Sequence, residues 1–279
     1  MEFIKTINIE TVICLAGVTI FAWWLLRTSL GARALDNCPP RRNNMPFYLP
    51  VLMMFFWISV ISLSQVMSFP ISPDEQSIRT AFFNNIFILA GGLITSAIIL
   101  IDVQPYFARG LKGFGLNPKT IAADFIASLT NLLVVWPLVL AALTATSFLG
   151  QFLWGRQYQL KQHQELVLLV QYPQLSLRIL IAVVAVVVIP ILEEMLFRGL
   201  FQTTLCSFLR IRQTAWTAII ASSFLFTVMH SESAHWPALF ILGVVLGYSY
   251  EKSGSLFRPI FLHSFFNAAS VMATWIQSS

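Results

Sequence analysis

Two adjacent carboxylates, Glu193 and Glu194, follow the most apolar run of the chain, Leu180–Leu192. Ionisable side chains inside a membrane helix are costly, and they usually face a partner or a water-filled cavity. Arg198 lies four residues after Glu194 and therefore on the same helical face, where it is the expected partner of that carboxylate. Glu193 points about 100° away around the helix. The spacing predicts one braced carboxylate and one that can act as a base.

Three further polar residues could complete a hydrolytic site with this pair. His230 ends the apolar run Phe224–Met229, and His263 lies one turn before Asn267, so that His263 and Asn267 can face the same cavity. Hydrolysis of a peptide bond needs a base that deprotonates water, and imidazole or carboxamide donors can stabilise the oxyanion that forms. The alternative is that the two glutamates and Arg198 form only a buried ion cluster.

Three motifs, in order along the chain, resemble the EExxxR, FxxxH and HxxxN motifs of the CPBP membrane proteases. They are Glu193–Arg198, Phe226–His230 and His263–Asn267, and the resemblance covers about Leu177–Trp275. That family includes type 2 CAAX prenyl endopeptidases and bacterial proteins linked to bacteriocin self-immunity. The resemblance implies that Glu193 and His230 activate the attacking water and that His263 and Asn267 stabilise the oxyanion. It also implies that Glu194, held by Arg198, supports the site.

A zinc-dependent mechanism is the main chemical alternative. Glu193, His230 and His263 are acceptable ligands for a catalytic Zn²⁺ ion, although the chain has no HExxH motif. The family resemblance favours a metal-free, glutamate-dependent reaction. We therefore expect no cofactor and no metal, with zinc as the alternative.

The composition predicts an all-α, polytopic membrane helical bundle. Of the 279 residues, 57% are hydrophobic and 10% are charged, whereas a soluble domain carries about 25% charged residues. Backbone polar groups cannot be left unpaired in lipid, so the long apolar runs are read as helices. About eight transmembrane segments are expected, with these approximate cores: Thr11–Leu26, Phe47–Val66, Phe83–Ile101, Ile121–Leu149, Ile179–Phe197, Ala215–Met229, Pro237–Tyr250 and Pro259–Trp275.

The whole chain, residues 1–279, is expected to be one integral membrane domain. Residues 1–176 would hold the N-terminal spans, and residues 177–276 would hold a CAAX-protease-like catalytic core. For the first apolar segment, a cleaved signal peptide is the alternative, because Ala32-Arg33-Ala34 loosely resembles a cleavage site. Against cleavage, the preceding region has only Lys5 as a cation, and Arg27 directly follows the apolar run.

The distribution of cations predicts the orientation in the plasma membrane. Lys and Arg residues at alternate connections number twelve on one side and five on the other, which places the first group in the cytoplasm and both termini outside. The twelve are Arg27, Arg33, Arg41, Arg42, Arg109, Lys112, Lys119, Arg198, Arg210, Arg212, Lys252 and Arg258; the five are Lys5, Arg79, Arg156, Lys161 and Arg178.

The depth of the site residues in the membrane leaves two arrangements open. In a simple hairpin at Arg210–Arg212, the two glutamates and His230 lie at the same level, about 25 Å from the turn. His263 lies only about one turn beyond Pro259. For His263 to lie at the same depth as the two glutamates and His230, one of two arrangements is required. Either the Ser253–Arg258 turn lies inside the membrane, or Leu200–Leu209 lies flat along the membrane. The side to which the cavity opens is left undecided.

These observations predict an intramembrane endopeptidase that acts on a membrane-associated peptide or protein, including a lipid-modified, CAAX-like one by the resemblance. The expected partners are the lipid bilayer and this substrate; no nucleic acid is expected, because no basic tract is interleaved with aromatic residues. One alternative is a non-enzymatic immunity or scaffold protein that binds a partner through the same spans. A proton-coupled transporter ranks lower, since the first four apolar segments are nearly devoid of ionisable residues apart from Asp124.

Overall fold

The computed structural model describes residues 9–67, 78–161, 164–209 and 214–277, and within these ranges the chain is helical with no β-strand. This confirms the predicted all-α class. Each predicted apolar segment corresponds to a helix, and two short helices lie between them. The helices are α1 Ile9–Arg27, α2 Tyr48–Met67, α3 Ile78–Val103, α4 Leu111–Phe114, α5 Ile121–Trp154, α6 Gln164–Gln171, α7 Leu175–Phe208, α8 Thr214–Val228, α9 Trp236–Ser253 and α10 Phe257–Gln277.

Four of these helices are long and apolar enough to cross a membrane, namely α2, α3, α5 and α7. The helices α1 and α8 are apolar but shorter. The helices α9 and α10 carry charged and polar residues, Glu251, Lys252, Arg258, His263 and Asn267 among them, which lowers their mean hydropathy. The count of eight transmembrane segments therefore stays a prediction.

The helix α7 lies at the centre of the bundle and contacts α2, α3, α8, α9 and α10. All residues from Glu194 to Leu200 are buried, Glu194 and Arg198 included. Helices in membranes associate through close packing, which small residues permit. Gly199 illustrates this: a Cβ atom there would lie 2.3 Å from Cζ of Phe114, so the ring occupies the space that a side chain would need.

Two π-helical segments interrupt α7, Val184–Val188 and Met195–Gln202, on either side of the α-helical turn Ile189–Glu194. Pro190 provides a reason for the first, because proline lacks an N–H donor and its ring clashes with the carbonyl four residues earlier. Directly after the second segment, Thr203 Oγ1 donates to the carbonyl of Arg198, five residues back, at 3.0 Å. A π turn holds an extra residue and redirects the side chains around it, and such turns are frequent at functional sites.

The helix α7 continues through Leu200 to Phe208, so Leu200–Leu209 does not form a separate flat segment. The residues Ser255 and Leu256, which connect α9 to α10, are buried, and the Leu256 N–H donates to the Gly115 carbonyl at 2.9 Å. The first arrangement, in which the Ser253–Arg258 turn lies inside the membrane, stays a prediction, because this burial is packing within the protein. The Arg210–Arg212 turn lies outside the described residues.

Three connections with many cations meet at one end of the bundle. The connection after α1 contacts the one after α3, where Asn44 N–H donates to the Tyr106 carbonyl at 3.0 Å and Ala108 N–H to the Arg42 carbonyl at 3.3 Å. Lys252, at the end of α9, donates to the carbonyl of Asp36 at 2.8 Å. These contacts agree with the prediction that the three connections share one side of the membrane. Which side that is stays a prediction.

Candidate active site

Glu194 is the centre of a fully buried polar cluster. Its Oε1 atom accepts a hydrogen bond from Arg198 Nη1 at 2.8 Å, and neither side chain is exposed. The same Oε1 atom lies 2.9 Å from Nδ1 of His263. The predicted pairing of Glu194 with Arg198 is therefore present, and the carboxylate also holds a histidine that the sequence did not connect to it.

Arg198 is held on two further sides. Its Nη2 atom donates to the backbone carbonyl of Gly243 on α9 at 3.1 Å, and its guanidinium carbon lies 4.7 Å from the centroid of the Phe226 ring. A cation over an aromatic face is attracted by the ring quadrupole, most strongly where water is excluded. Arg198 thus ties α7 to both α8 and α9.

Glu193 lies in different surroundings from its neighbour. Its side chain is 17% exposed, whereas that of Glu194 is fully buried. Its Oε2 atom lies 3.8 Å from Nε2 of His263. The two carboxylates therefore face opposite ring nitrogens of the same histidine, and the one on the accessible side is Glu193.

Phe226 brings the second histidine to the cluster. The ring centroid of Phe226 lies 4.8 Å from that of His230 and 5.8 Å from that of His263, with edge-to-face geometry in both pairs. Nδ1 of His230 lies 2.8 Å from the Phe226 carbonyl. Since a carbonyl only accepts hydrogen bonds, Nδ1 carries the proton, and in the neutral ring Nε2 is the atom able to accept one.

Asn267 is the site residue whose position differs most from the expectation. Its Nδ2 atom donates to the carbonyl of Ala185 at 2.8 Å. Ala185 lies in the first π-helical segment of α7, where the ordinary α-helical pairing of carbonyls is altered. At least one of the two amide hydrogens therefore serves to join α10 to α7, a contact that the sequence did not predict.

The zinc alternative receives no support from this geometry. Among the described residues, no three His, Cys, Asp or Glu side chains are grouped so that they could hold a metal ion. Glu193 lies beside His263, and the Phe226 ring lies against both His230 and His263. These three residues do not form a set of metal ligands. The expectation of a metal-free reaction stays a prediction.

A second buried polar cluster lies one helical turn along α7 from Arg198. Gln202 is fully buried and its Nε2 atom donates to the Gly247 carbonyl at 3.1 Å and to Glu251 Oε2 at 3.2 Å. Glu251 in turn forms an ion pair with Arg41, from the connection between α1 and α2. The sequence predicted no contact among these residues, because neither a lone glutamine nor a glutamate near a helix end indicates its partner.

Arg41 and Glu251 line a cavity of about 300 Å³, together with Cys38, Asn43, Cys206 and four other residues. None of the candidate catalytic residues lines it, so this cavity is distinct from the candidate active site. Burial, and then the Glu251 carboxylate, raise the pKa of the Cys38 thiol. Burial alone would lower the pKa of Arg41, but Tyr250 and Glu251 outweigh it and raise that pKa above its ordinary value.

Residues 175–269 match the sequence family described as Type II CAAX prenyl endopeptidase Rce1-like. This match confirms the resemblance to the CPBP proteases, and its range agrees with the predicted Leu177–Trp275. Half of the chain, over 141 residues, is 28% identical to an uncharacterized 24.3 kDa protein of Escherichia coli, and the match spans 63% of that protein's length. No solved structure matches the chain. The apolar helices and the family match together indicate a multi-pass membrane protein with a peptidase-like segment.

Proposed function

We propose that this multi-pass membrane protein, with an Rce1-like segment at residues 175–269, hydrolyses a peptide bond of a membrane-associated substrate. The observation that carries the proposal is the unequal setting of two adjacent carboxylates. Glu194 is fully buried and bonded to Arg198 and His263, whereas Glu193 is partly exposed beside the same histidine. One carboxylate is suited to hold the site and the other to take part in the reaction.

In the proposed reaction, Glu193 accepts a proton from a water molecule while the water oxygen attacks the carbonyl carbon of the scissile bond. The π electron pair of that carbonyl moves to its oxygen, which becomes an oxyanion. The oxyanion then collapses, the C–N bond breaks, and the proton held by Glu193 passes to the leaving nitrogen. His230 assists at the first step by orienting the attacking water, because Nε2 of its neutral ring can accept a hydrogen bond from the second hydrogen of that water, and no further proton is transferred.

His263 and Asn267 are the proposed donors to the oxyanion. With Nδ1 of His263 bonded to Glu194, Nε2 is the ring atom that faces Glu193 and the reacting groups. To donate a hydrogen bond to the oxyanion, Nε2 of His263 must carry a proton. Asn267 has two amide hydrogens, of which the one not donated to Ala185 would serve the oxyanion.

A lipid-modified peptide of the CAAX type is the substrate class that the family description favours. In the part of the chain that the structure describes, four helices are suited to the bilayer by length and composition. A peptide tethered by a lipid would remain in the same bilayer and could reach the site laterally.

The proposal is tested with purified protein reconstituted in liposomes and a fluorogenic, prenylated CAAX peptide. The wild-type protein is expected to release product, and Glu193→Ala and His230→Ala are expected to release far less. Equal product formation by the wild type and both variants would refute the mechanism. The same reaction with a strong chelator decides the metal question, since undiminished turnover excludes a required exchangeable zinc ion.

A further inference from the structure

Two helices of the site are joined by a regular series of side-chain-to-backbone hydrogen bonds. On α7, Arg198 and Gln202 are four residues apart, and they donate to the carbonyls of Gly243 and Gly247, which are four residues apart on α9. Residues at this spacing lie on the same face of a helix. The two bonds therefore fix the position of α7 along α9. They also fix where the Arg198–Glu194 pair lies relative to α9.

The contact of Gln202 with α9 depends on the absence of a side chain at position 247. A Cβ atom on Gly247 would lie 2.7 Å from Oε1 of Gln202, closer than non-bonded atoms approach. Ser222 on α8 donates to the same Oε1 atom at 3.4 Å. Gln202 is thus enclosed by two neighbouring helices and has little space in which to adopt another position.

Gln202 also binds a charged group that needs its own partner. Its Nε2 atom donates to Oε2 of Glu251, the same oxygen that pairs with Arg41. Arg41 is further fixed by a hydrogen bond from Nη1 to the Tyr250 carbonyl at 3.2 Å and by stacking 4.1 Å from the Tyr250 ring centroid. A buried carboxylate that loses its cation is strongly destabilised and would seek another arrangement.

We propose that Arg41 is a positioning residue for the active site, acting through Glu251 and Gln202 on the Arg198–Glu194 pair. Arg41 lies outside residues 175–269, the range that matches the peptidase family. The segment between α1 and α2 would then be required for full activity, through an Arg41 side chain that pairs with Glu251 and stacks on Tyr250. This inference rests on the proposed peptidase function only for its kinetic test.

The structural part is tested by hydrogen exchange of the full-length protein in lipid nanodiscs. Arg41→Met and Gln202→Met are each expected to raise amide exchange in the peptides that cover Met195–Gln202, because they loosen α7 from α9. Arg42→Met is the matched control, since Arg42 is the neighbouring arginine and is exposed. Unchanged exchange over 195–202 in both test variants would overturn the inference, whether or not the protein cleaves a peptide.

The kinetic part uses the prenylated peptide in the same nanodiscs. Arg41→Met and Gln202→Met are expected to lower kcat about 10- to 100-fold, as small displacements of catalytic groups do, with KM nearly unchanged. The double variant is expected to be no slower than the single ones, because both act along one path. Wild-type kcat in Arg41→Met would overturn the inference. Absence of cleavage by the wild type would instead refute the proposed function, and hydrogen exchange would still decide the inference.

Arg41→Lys covers the case in which Arg41→Met does not accumulate in membranes. Lysine keeps the charge beside Glu251 but cannot reproduce the planar arginine donors that also reach the Tyr250 carbonyl. A kcat between those of the wild type and Gln202→Met is expected. Wild-type kcat and wild-type exchange over 195–202 in both Arg41→Lys and Gln202→Met would contradict the inference.

Discussion

Nδ1 of His263 lies 2.9 Å from Oε1 of Glu194, the oxygen that also accepts the hydrogen bond from Arg198. The carboxylate therefore holds both an arginine on its own helix and a histidine on α10. This double contact fixes the direction of the imidazole ring and leaves Nε2 facing Glu193.

Loss of the Glu194 charge is expected to destabilise the folded protein. Glu194→Gln leaves Arg198 buried without its anion, and breaking such a pair on one side costs about 3–5 kcal/mol. The free energy of unfolding in a mixed-micelle denaturant titration measures this loss. The corresponding change at the exposed Asp36, Asp36→Asn, serves as the control. Stability equal to wild type in Glu194→Gln would show that the ion pair does not support the bundle.

The two ring nitrogens of His263 are expected to have separable roles. In His263→Asn the amide nitrogen can replace Nδ1 as the donor to Glu194, so the variant should fold, but it offers nothing at the position of Nε2. We expect near wild-type thermal stability with peptide cleavage reduced at least 100-fold, as for the loss of one oxyanion donor. If His263→Asn cleaves at the wild-type rate, Nε2 takes no part in the reaction.

Asn267 joins α10 to α7 through the Ala185 carbonyl, and its second amide hydrogen is the proposed oxyanion donor. Asn267→Leu removes both donors with a side chain of similar shape and adds no charge. The lost hydrogen bond alone would cost about 1 kcal/mol of stability, whereas the lost oxyanion donor would reduce kcat by about 10²–10³. Measuring both quantities separates the roles. A stability loss without a kcat loss would limit Asn267 to the structural contact.

Gly199 is expected to tolerate no side chain while Phe114 is present. In Gly199→Ala the added Cβ atom would meet the Phe114 ring at 2.3 Å, and overpacking of this kind costs about 1–3 kcal/mol. The second change Phe114→Leu shortens the opposing side chain and should recover part of the loss. A double variant as unstable as Gly199→Ala would mean that the ring is not the cause. The thermal unfolding midpoint in detergent measures all three variants.

The Cys38 thiol is expected to react slowly and at unusually high pH. Only the thiolate is nucleophilic, and burial and the Glu251 carboxylate raise the pKa of this thiol. At a given pH the thiolate fraction is therefore smaller than in a free cysteine, and the midpoint of the rate–pH curve moves upward. Alkylation rates in a variant with Cys14 and Cys206 changed to serine measure this. Glu251→Gln should move the midpoint downward, and an upward or absent movement would contradict the proposed proximity.

The contacts that are local in sequence were the predictable ones. The pairing of Glu194 with Arg198 follows from their spacing on one helix, and the apolar runs predicted where the helices lie. The ion pair of Arg41 with Glu251 joins residues 210 positions apart, and no local pattern connects them. The Asn267–Ala185 contact depends on a π-helical segment, which the apolar valine-rich run around Ala185 does not indicate. Local periodicity thus predicted the helices, whereas the contacts between them required the folded structure.

The central claim is that Glu193 is the base and Glu194 its support, and a pair of isosteric variants tests it most directly. Initial rates of prenylated-peptide cleavage are measured for Glu193→Gln and Glu194→Gln, together with the unfolding free energy of each. Glu193→Gln is expected to keep wild-type stability and to lose activity by about 10²–10⁴, the usual contribution of a general base, whereas Glu194→Gln loses stability. A Glu193→Gln protein that folds and cleaves at the wild-type rate would contradict the account.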